Sequence, residues 1–214
     1  MKIYTSLCAA LCAVIAACGG GSKSNPTQPP TGSVVFEGDS LSALTVSTWP
    51  TTVRAKSSLN TRWYPVGISA TRTDQMVARY ASNVAPHRPL DGLGVFFING
   101  GTNDIIRQTA TPAEAYVNLK YLWATARSDG FKVIAFTIHS VTHRTVPCAT
   151  CTADMAELNR LILSDSSLYD RVIRMDQLFP DMHDTAVLYD KLHFTVAGNA
   201  RVADAVLAVL GEIL

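Results

Sequence analysis

The sequence predicts a three-layer α/β/α sandwich around a central, mostly parallel five-stranded sheet, and three observations carry that prediction. Short apolar runs rich in Val, Ile and Phe lack polar alternation, the pattern of strands covered on both faces. Segments with helical spacing separate these runs, which is the signature of a βαβ series. The third is bulk: 214 residues are 48% hydrophobic and only 16% charged, against roughly a quarter charged in an average chain. That composition suits one domain with a proper core and argues against disorder.

The elements follow in order. Ser33 to Gly38, "SVVFEG", is the first strand, and a helix is expected to begin at Leu41, directly after Gly38-Asp39-Ser40. Thr61 to Val66 is the weakest strand candidate; Gly94 to Asn99 and Lys132 to Ile138 are the strongest, and Arg171 to Asp176 closes the set. Between them, Thr111-Pro112 with Glu114 reads as a capping box followed by proline in the first turn. Ala115, Leu119, Leu122 and Ala126 continue that helix at three- and four-residue spacing until Gly130. Asp154 to Leu163 and Val196 to Leu214 are two further helices. Functional groups in such sheets gather beyond the carboxyl ends of the strands. That rule brings Gly38-Asp39-Ser40, Asn99 to Asp104 and His139 to His143 to one rim.

Residues 1–17 are a different object. Met1-Lys2 supplies a positive charge, and Leu7 to Ala17 is apolar but too short for a stable bilayer anchor. The stretch ends in Ile15-Ala16-Ala17-Cys18, which resembles a bacterial lipobox: a signal peptide cut before Cys18, whose thiol carries lipid. Residues 18–32 are dense in Gly, Ser and Pro and read as a flexible tether, so residues 33–214 form the single folded domain. The expected location is the bacterial cell envelope, with export and a lipid anchor on Cys18. Lys plus Arg number 18 and Asp plus Glu 17, which leaves no electrostatic footprint for nucleic acid. A monomer is expected.

Cys8 and Cys12 leave with the signal, so Cys148 and Cys151 in "PCATC" remain. Half a zinc site or a redox pair would fit the spacing, but no second C-x-x-C exists, and an oxidising compartment favours a small local disulfide.

The chemistry sits at strand ends. A serine hydroxyl needs a base to take its proton, and a histidine base works best when an acid orients it. Ser40 follows the first strand, and "YDKLHFTVAGNARVA" places Asp190 three residues before His193. An oxyanion needs fixed donors. Ser40's own N–H, Gly67 in "VGISATRT" and the amide of Asn103 in "NGGTND" can supply them. No G-x-S-x-G elbow and no nucleotide-binding glycine motif is present. His139 and His143 have metal-ligand spacing but no carboxylate partner nearby, and are read as loop residues lining the substrate mouth.

Taken together, "GDSLS", "GGTND" and "DKLHFTVAGNARVA" resemble the SGNH hydrolases of the GDSL esterase and lipase family, across essentially all of residues 33–214. Arg72 stands where the family often carries a small residue. The resemblance implies a flavodoxin-like SGNH hydrolase fold with Ser40, Asp190 and His193 as the triad. It further implies Ser40, Gly67 and Asn103 as the oxyanion hole, with no metal or organic cofactor. A serine esterase acting on short acyl or acetyl esters, including those of saccharides, is the expected activity. A lysophospholipase or thioesterase, a non-catalytic glycan-binding lipoprotein and a redox lipoprotein using Cys148 and Cys151 are the alternatives.

Overall fold

The computed structural model describes residues 29–141 and 148–213. The lipobox, Cys18 and His143 therefore lie outside the described residues. The strands are β1 (Ser33–Gly38), β2 (Arg62–Pro65), β3 (Gly94–Asn99), β4 (Lys132–Phe136) and β5 (Arg171–Ile173). They form one sheet in the order β2-β1-β3-β4-β5, with every pairing parallel. The order reverses between β1 and β3, so the crevice beyond the carboxyl ends of these two strands is the switch point where such sheets bind ligands.

The helices are α1 (Trp49–Lys56), α2 (Thr73–Asn83), α3 (Thr102–Ile106), α4 (Pro112–Ser128), α5 (Cys151–Ser164), α6 (Met175–Leu178) and α7 (Val196–Ile213), with a 3-10 turn at Ala85–His87. Helix α1 packs on α7, while α4 packs against both α2 and α5. The sheet between them is apolar on both faces, with Val34, Val35, Val95, Phe96, Phe97, Val133 and Ile134 fully buried. Phe36 makes an edge contact with Trp49 at 5.0 Å and packs on Phe97 at 5.1 Å, so the first strand is locked by rings from α1 and from β3. The expected capping box of α4 is present: Thr111 N donates to Glu114 Oε2 at 2.8 Å, and Glu114 N donates back to Thr111 Oγ1 at 3.3 Å.

Two expectations are corrected. No helix starts at Leu41; the chain turns instead. The Asp39 carbonyl accepts the amides of Ser42 and Ala43, and its carboxylate accepts that of Leu41 at 2.9 Å. Three successive amides thus close on one residue, and the first helix waits until Trp49-Pro50, where proline suits the first turn. The β4 and β5 runs also stop early, at Phe136 and Ile173, because Thr137 N pairs once more with the Ile173 carbonyl and the chain then departs.

Candidate active site

Ser40 sits in the turn after β1, directly at the switch point. Gly38 permits that turn: its φ is +154°, and an added Cβ would lie 2.6 Å from the Asn99 carbonyl oxygen and 2.8 Å from Ser42 Oγ. Beyond it, the Ser40 carbonyl accepts from Ser47 Oγ at 3.0 Å and the Leu41 carbonyl from Trp49 Nε1 at 2.6 Å. Ser40 is carried on a loop fixed by a buried tryptophan.

His193 reaches it from the far end of the chain. Ser40 Oγ lies 3.0 Å from His193 Nε2, and His193 Nδ1 lies 2.8 Å from Asp190 Oδ2. Between acid and base, Lys191 adopts a left-handed φ of 67°. This kink folds the segment so that the other carboxylate oxygen, Oδ1, accepts the amides of Leu192 and His193 at 3.1 and 2.7 Å. Burial pushes the Asp190 carboxyl up, but the bonds from His193 outweigh it and hold the group below the usual carboxylate range. The acid is therefore ionised at neutral pH and fixes the tautomer that leaves Nε2 free to accept a proton. Tyr189 stacks on the imidazole at 5.7 Å.

Asn199 joins the two loops. Its Oδ1 accepts the amides of Thr48 and Trp49 at 2.8 and 3.0 Å, capping α1, while its Nδ2 donates to the Phe194 carbonyl at 3.2 Å. One side chain thus ties the end of the serine loop to the end of the histidine loop.

The expected donors fare differently. The Ser40 N–H has no acceptor among the described residues. Asn103 lies beside Asp39: its Nδ2 donates to Asp39 Oδ2 at 3.2 Å and to the Thr71 carbonyl at 3.0 Å. Complete burial drives the Asp39 carboxyl up to about 7, with the nearby Asp104 charge adding to the rise. Gly67 is a correction. Its N–H donates to the Phe36 carbonyl at 3.1 Å and so continues the β1–β2 ladder rather than facing an oxyanion. Glycine is needed there for space, since a Cβ would meet the Ser42 backbone at 3.1 Å. Three residues on, Ala70 holds a left-handed φ of 65°, and its N–H meets no acceptor among the described residues.

His139 is also corrected. It does not line a mouth; it is buried between Phe179 and Phe194, with ring centroids 5.5 Å from each. Its Nε2 bonds the Leu192 carbonyl at 3.0 Å, next to His193, and its Nδ1 has no partner. Burial lowers its pKa to about 4. The imidazole is neutral and acts as a strut beneath the histidine loop.

Two buried acids missed by the sequence reading complete the support. Glu37 pairs with Arg79, which also reaches the Gly38 carbonyl at 3.1 Å and Thr71 Oγ1 at 3.2 Å. Asp104 accepts from Thr73 N and from Thr73 Oγ1 at 2.6 Å, locking the β3 loop to α2. The uninterrupted "VVFEGD" carried the signal, since an acid inside a buried strand demands a partner. Cys148 and Cys151 form a disulfide at the entry to α5, with Cα atoms 5.4 Å apart. Among the described residues no three metal-ligating side chains cluster, and no helix is long and apolar enough to cross a membrane.

A model of the GDSL-like lipase/acylhydrolase family matches residues 36–201. No curated protein matches the sequence. Among solved structures, Axe2, an acetylxylan esterase from Geobacillus stearothermophilus, is 18% identical with a TM-score of 0.62, covering 84% of this chain and 94% of that one. TesA is 21% identical with a TM-score of 0.66, covering 85% and 99%. A GDSL-like lipase from Bacteroides thetaiotaomicron is 19% identical with a TM-score of 0.65, covering 85% and 89%. At these identities the structures establish the shared α/β fold.

Proposed function

The chain belongs to the GDSL-like lipase/acylhydrolase family and is an ester-hydrolysing enzyme; on that premise we propose that it is a serine esterase of short acyl esters, acetyl esters of saccharides included. The observation that carries the reading is the 3.0 Å approach of Ser40 Oγ to His193 Nε2 across 153 residues of sequence. Asp190 stands behind the imidazole at 2.8 Å.

Ser40 Oγ attacks the ester carbonyl carbon while His193 Nε2 takes its proton, and the paired Asp190 stabilises the imidazolium. The carbonyl oxygen becomes an oxyanion held by the Ser40 N–H and the Asn103 amide. The unpaired Ala70 N–H, in its strained turn, takes the place expected for Gly67. His193 then protonates the leaving alcohol, and water repeats the cycle on the acyl-enzyme. Asn103 must turn one hydrogen from Asp39 or Thr71 towards the oxyanion, a rearrangement that favours the transition state over the resting site. The acetyl preference is supported by the likeness to an acetylxylan esterase and by the absence of a long apolar insertion in the sequence.

The test is hydrolysis of p-nitrophenyl acetate, butyrate and octanoate by residues 33–214, beside Ser40→Ala. Ser40→Ala is expected to abolish turnover with the fold intact, and acetate to exceed octanoate. A fully active Ser40→Ala protein sinks the triad, and a preference for octanoate sinks the short-acyl reading. We also propose export and lipid attachment at Cys18. Palmitate labelling in a bacterial host, lost in Cys18→Ser, is the expected result; equal labelling of both overturns it.

A further inference from the structure

A cavity of about 630 Å³ opens beside the oxyanion side of the site, and the reaction described above leaves it unused. The volume lies within the roughly 300–1,000 Å³ of small-molecule sites. Its walls come from Arg72 and Asp74 at the start of α2, from Asp104 and Thr109 after β3, and from Ala113 and Val117 on α4. Two of these are chain neighbours of the groups that hold the oxyanion donor. Asp104 follows Asn103, and Arg72 follows Thr71, whose carbonyl accepts the Asn103 amide. The cavity thus borders the Asn103 side of the site.

The polar lining is fixed before any ligand arrives. Arg72 is clamped by Asp74 through Nε and Nη2 at 3.0 and 2.8 Å, which leaves Nη1 without an acceptor. Asn118 donates to Thr73 Oγ1 at 3.0 Å, so its amide oxygen is unused. Glu114 is held through Oε2 by its capping box, and Oε1 accepts no bond. These are preorganised donors and acceptors of the kind that orient a neutral polar ligand at small entropic loss. Beside Glu114 and Asn118 on the same helix, Ala113 and Val117 lie four residues apart on one face, with Tyr121 the next along. Val117 is 64% and Tyr121 55% exposed, so this apolar strip is uncovered and leads out of the cavity.

Fixed hydrogen-bonding groups beside an apolar strip match a polyhydroxylated ring, which offers hydroxyls around its edge and C–H groups on its face. A fatty chain would desolvate carboxylates without pairing them. An anionic headgroup would meet three carboxylates and one guanidinium already neutralised by Asp74. We propose that this cavity is a saccharide subsite: it takes the neutral sugar ring that carries the ester, and the next ring lies along Val117 and Tyr121. This rests on the esterase reading above.

Val117→Trp, at an exposed position, fills the cavity without touching the core. The expected result is a rise in KM for a monoacetylated methyl xyloside. With it, the ratio of kcat/KM for that ester to kcat/KM for p-nitrophenyl acetate falls about tenfold or more. In Ser40→Ala protein, xylotriose is expected to shift the amide resonances of Arg72, Ala113 and Val117, with Tyr121→Ala weakening its binding. An unmoved ratio, shifts confined elsewhere, or lysophospholipid hydrolysed in preference to the sugar ester overturns the subsite. If ester hydrolysis survives Ser40→Ala, the triad fails instead, and xylotriose binding still decides the cavity.

Discussion

Acidification should weaken this fold through one imidazole. His139 has an ordinary value of 6.5 and a folded value of about 4, so between those limits the unfolded chain binds a proton that the folded one refuses. Stability is full above 6.5 and is lost as the pH falls towards 4. From pH 7.5 to 4.5 the linkage amounts to about 2–3 kcal/mol, a sizeable share of a typical 5–15 kcal/mol. In a domain of this size that is about 5–10 °C in Tm. The comparison is His139→Gln, which can still donate to the Leu192 carbonyl but does not titrate. Urea unfolding at both pH values should show the wild type losing about 2–3 kcal/mol more than the variant. Equal losses would refute the buried neutral strut, whatever the variant's absolute stability.

Asp39 should give the mirror image. Its folded value of about 7 lies above the unfolded 3.8, so its contribution is full below 3.8 and lost as the pH rises through 7. Relative to Asp39→Asn, the wild type should lose about 3 kcal/mol between pH 4.5 and 7.5 by the same urea titration, and a flat difference removes the assignment. Arg79→Leu strands Glu37 as a buried, unpaired carboxylate and should cost about 3–5 kcal/mol, read as a lower urea midpoint; a change below about 1 kcal/mol rejects the pair's structural role. Asn103→Ala should lower kcat by about 10²–10³ with little change in Tm, and unchanged kcat takes Asn103 out of the site.

Much of the site was legible because its chemistry needs fixed residue types at strand ends, and continuous apolar runs located the ends of β1 and β3, at Gly38 and Asn99, just ahead of Ser40 and Asn103. What escaped reading depends on contacts between distant segments. Nothing near Gly67 shows that its hydrogen is taken by Phe36, 31 residues away, because ladder registry is set by the sheet. The His139 ring is enclosed by Phe179 and Phe194, so its burial is invisible in its own loop, where a place just after a strand suggested the mouth of the site. The delayed start of α1 was closer to hand. Pro50 marks a first turn, but the acid and hydroxyls after Gly38 look like a helix cap until Asp39 is seen absorbing the amides itself. Helix α2 was also within reach through Met76 and Tyr80, four residues apart and both buried.

Ser40, the proposed nucleophile, leaves β1 at the beginning of the described fold, while His193, its proposed base, lies just before α7, and Asn199 couples the two loops. During synthesis the serine therefore emerges long before anything can deprotonate it. A chain that stops short of Asp190 and His193 holds the serine without the proposed base, even where its sheet has begun to assemble. The order of elements thus ties the proposed ester cleavage to a late stretch of the fold: cleavage reports that the chain has reached His193 and that its loop has met the serine.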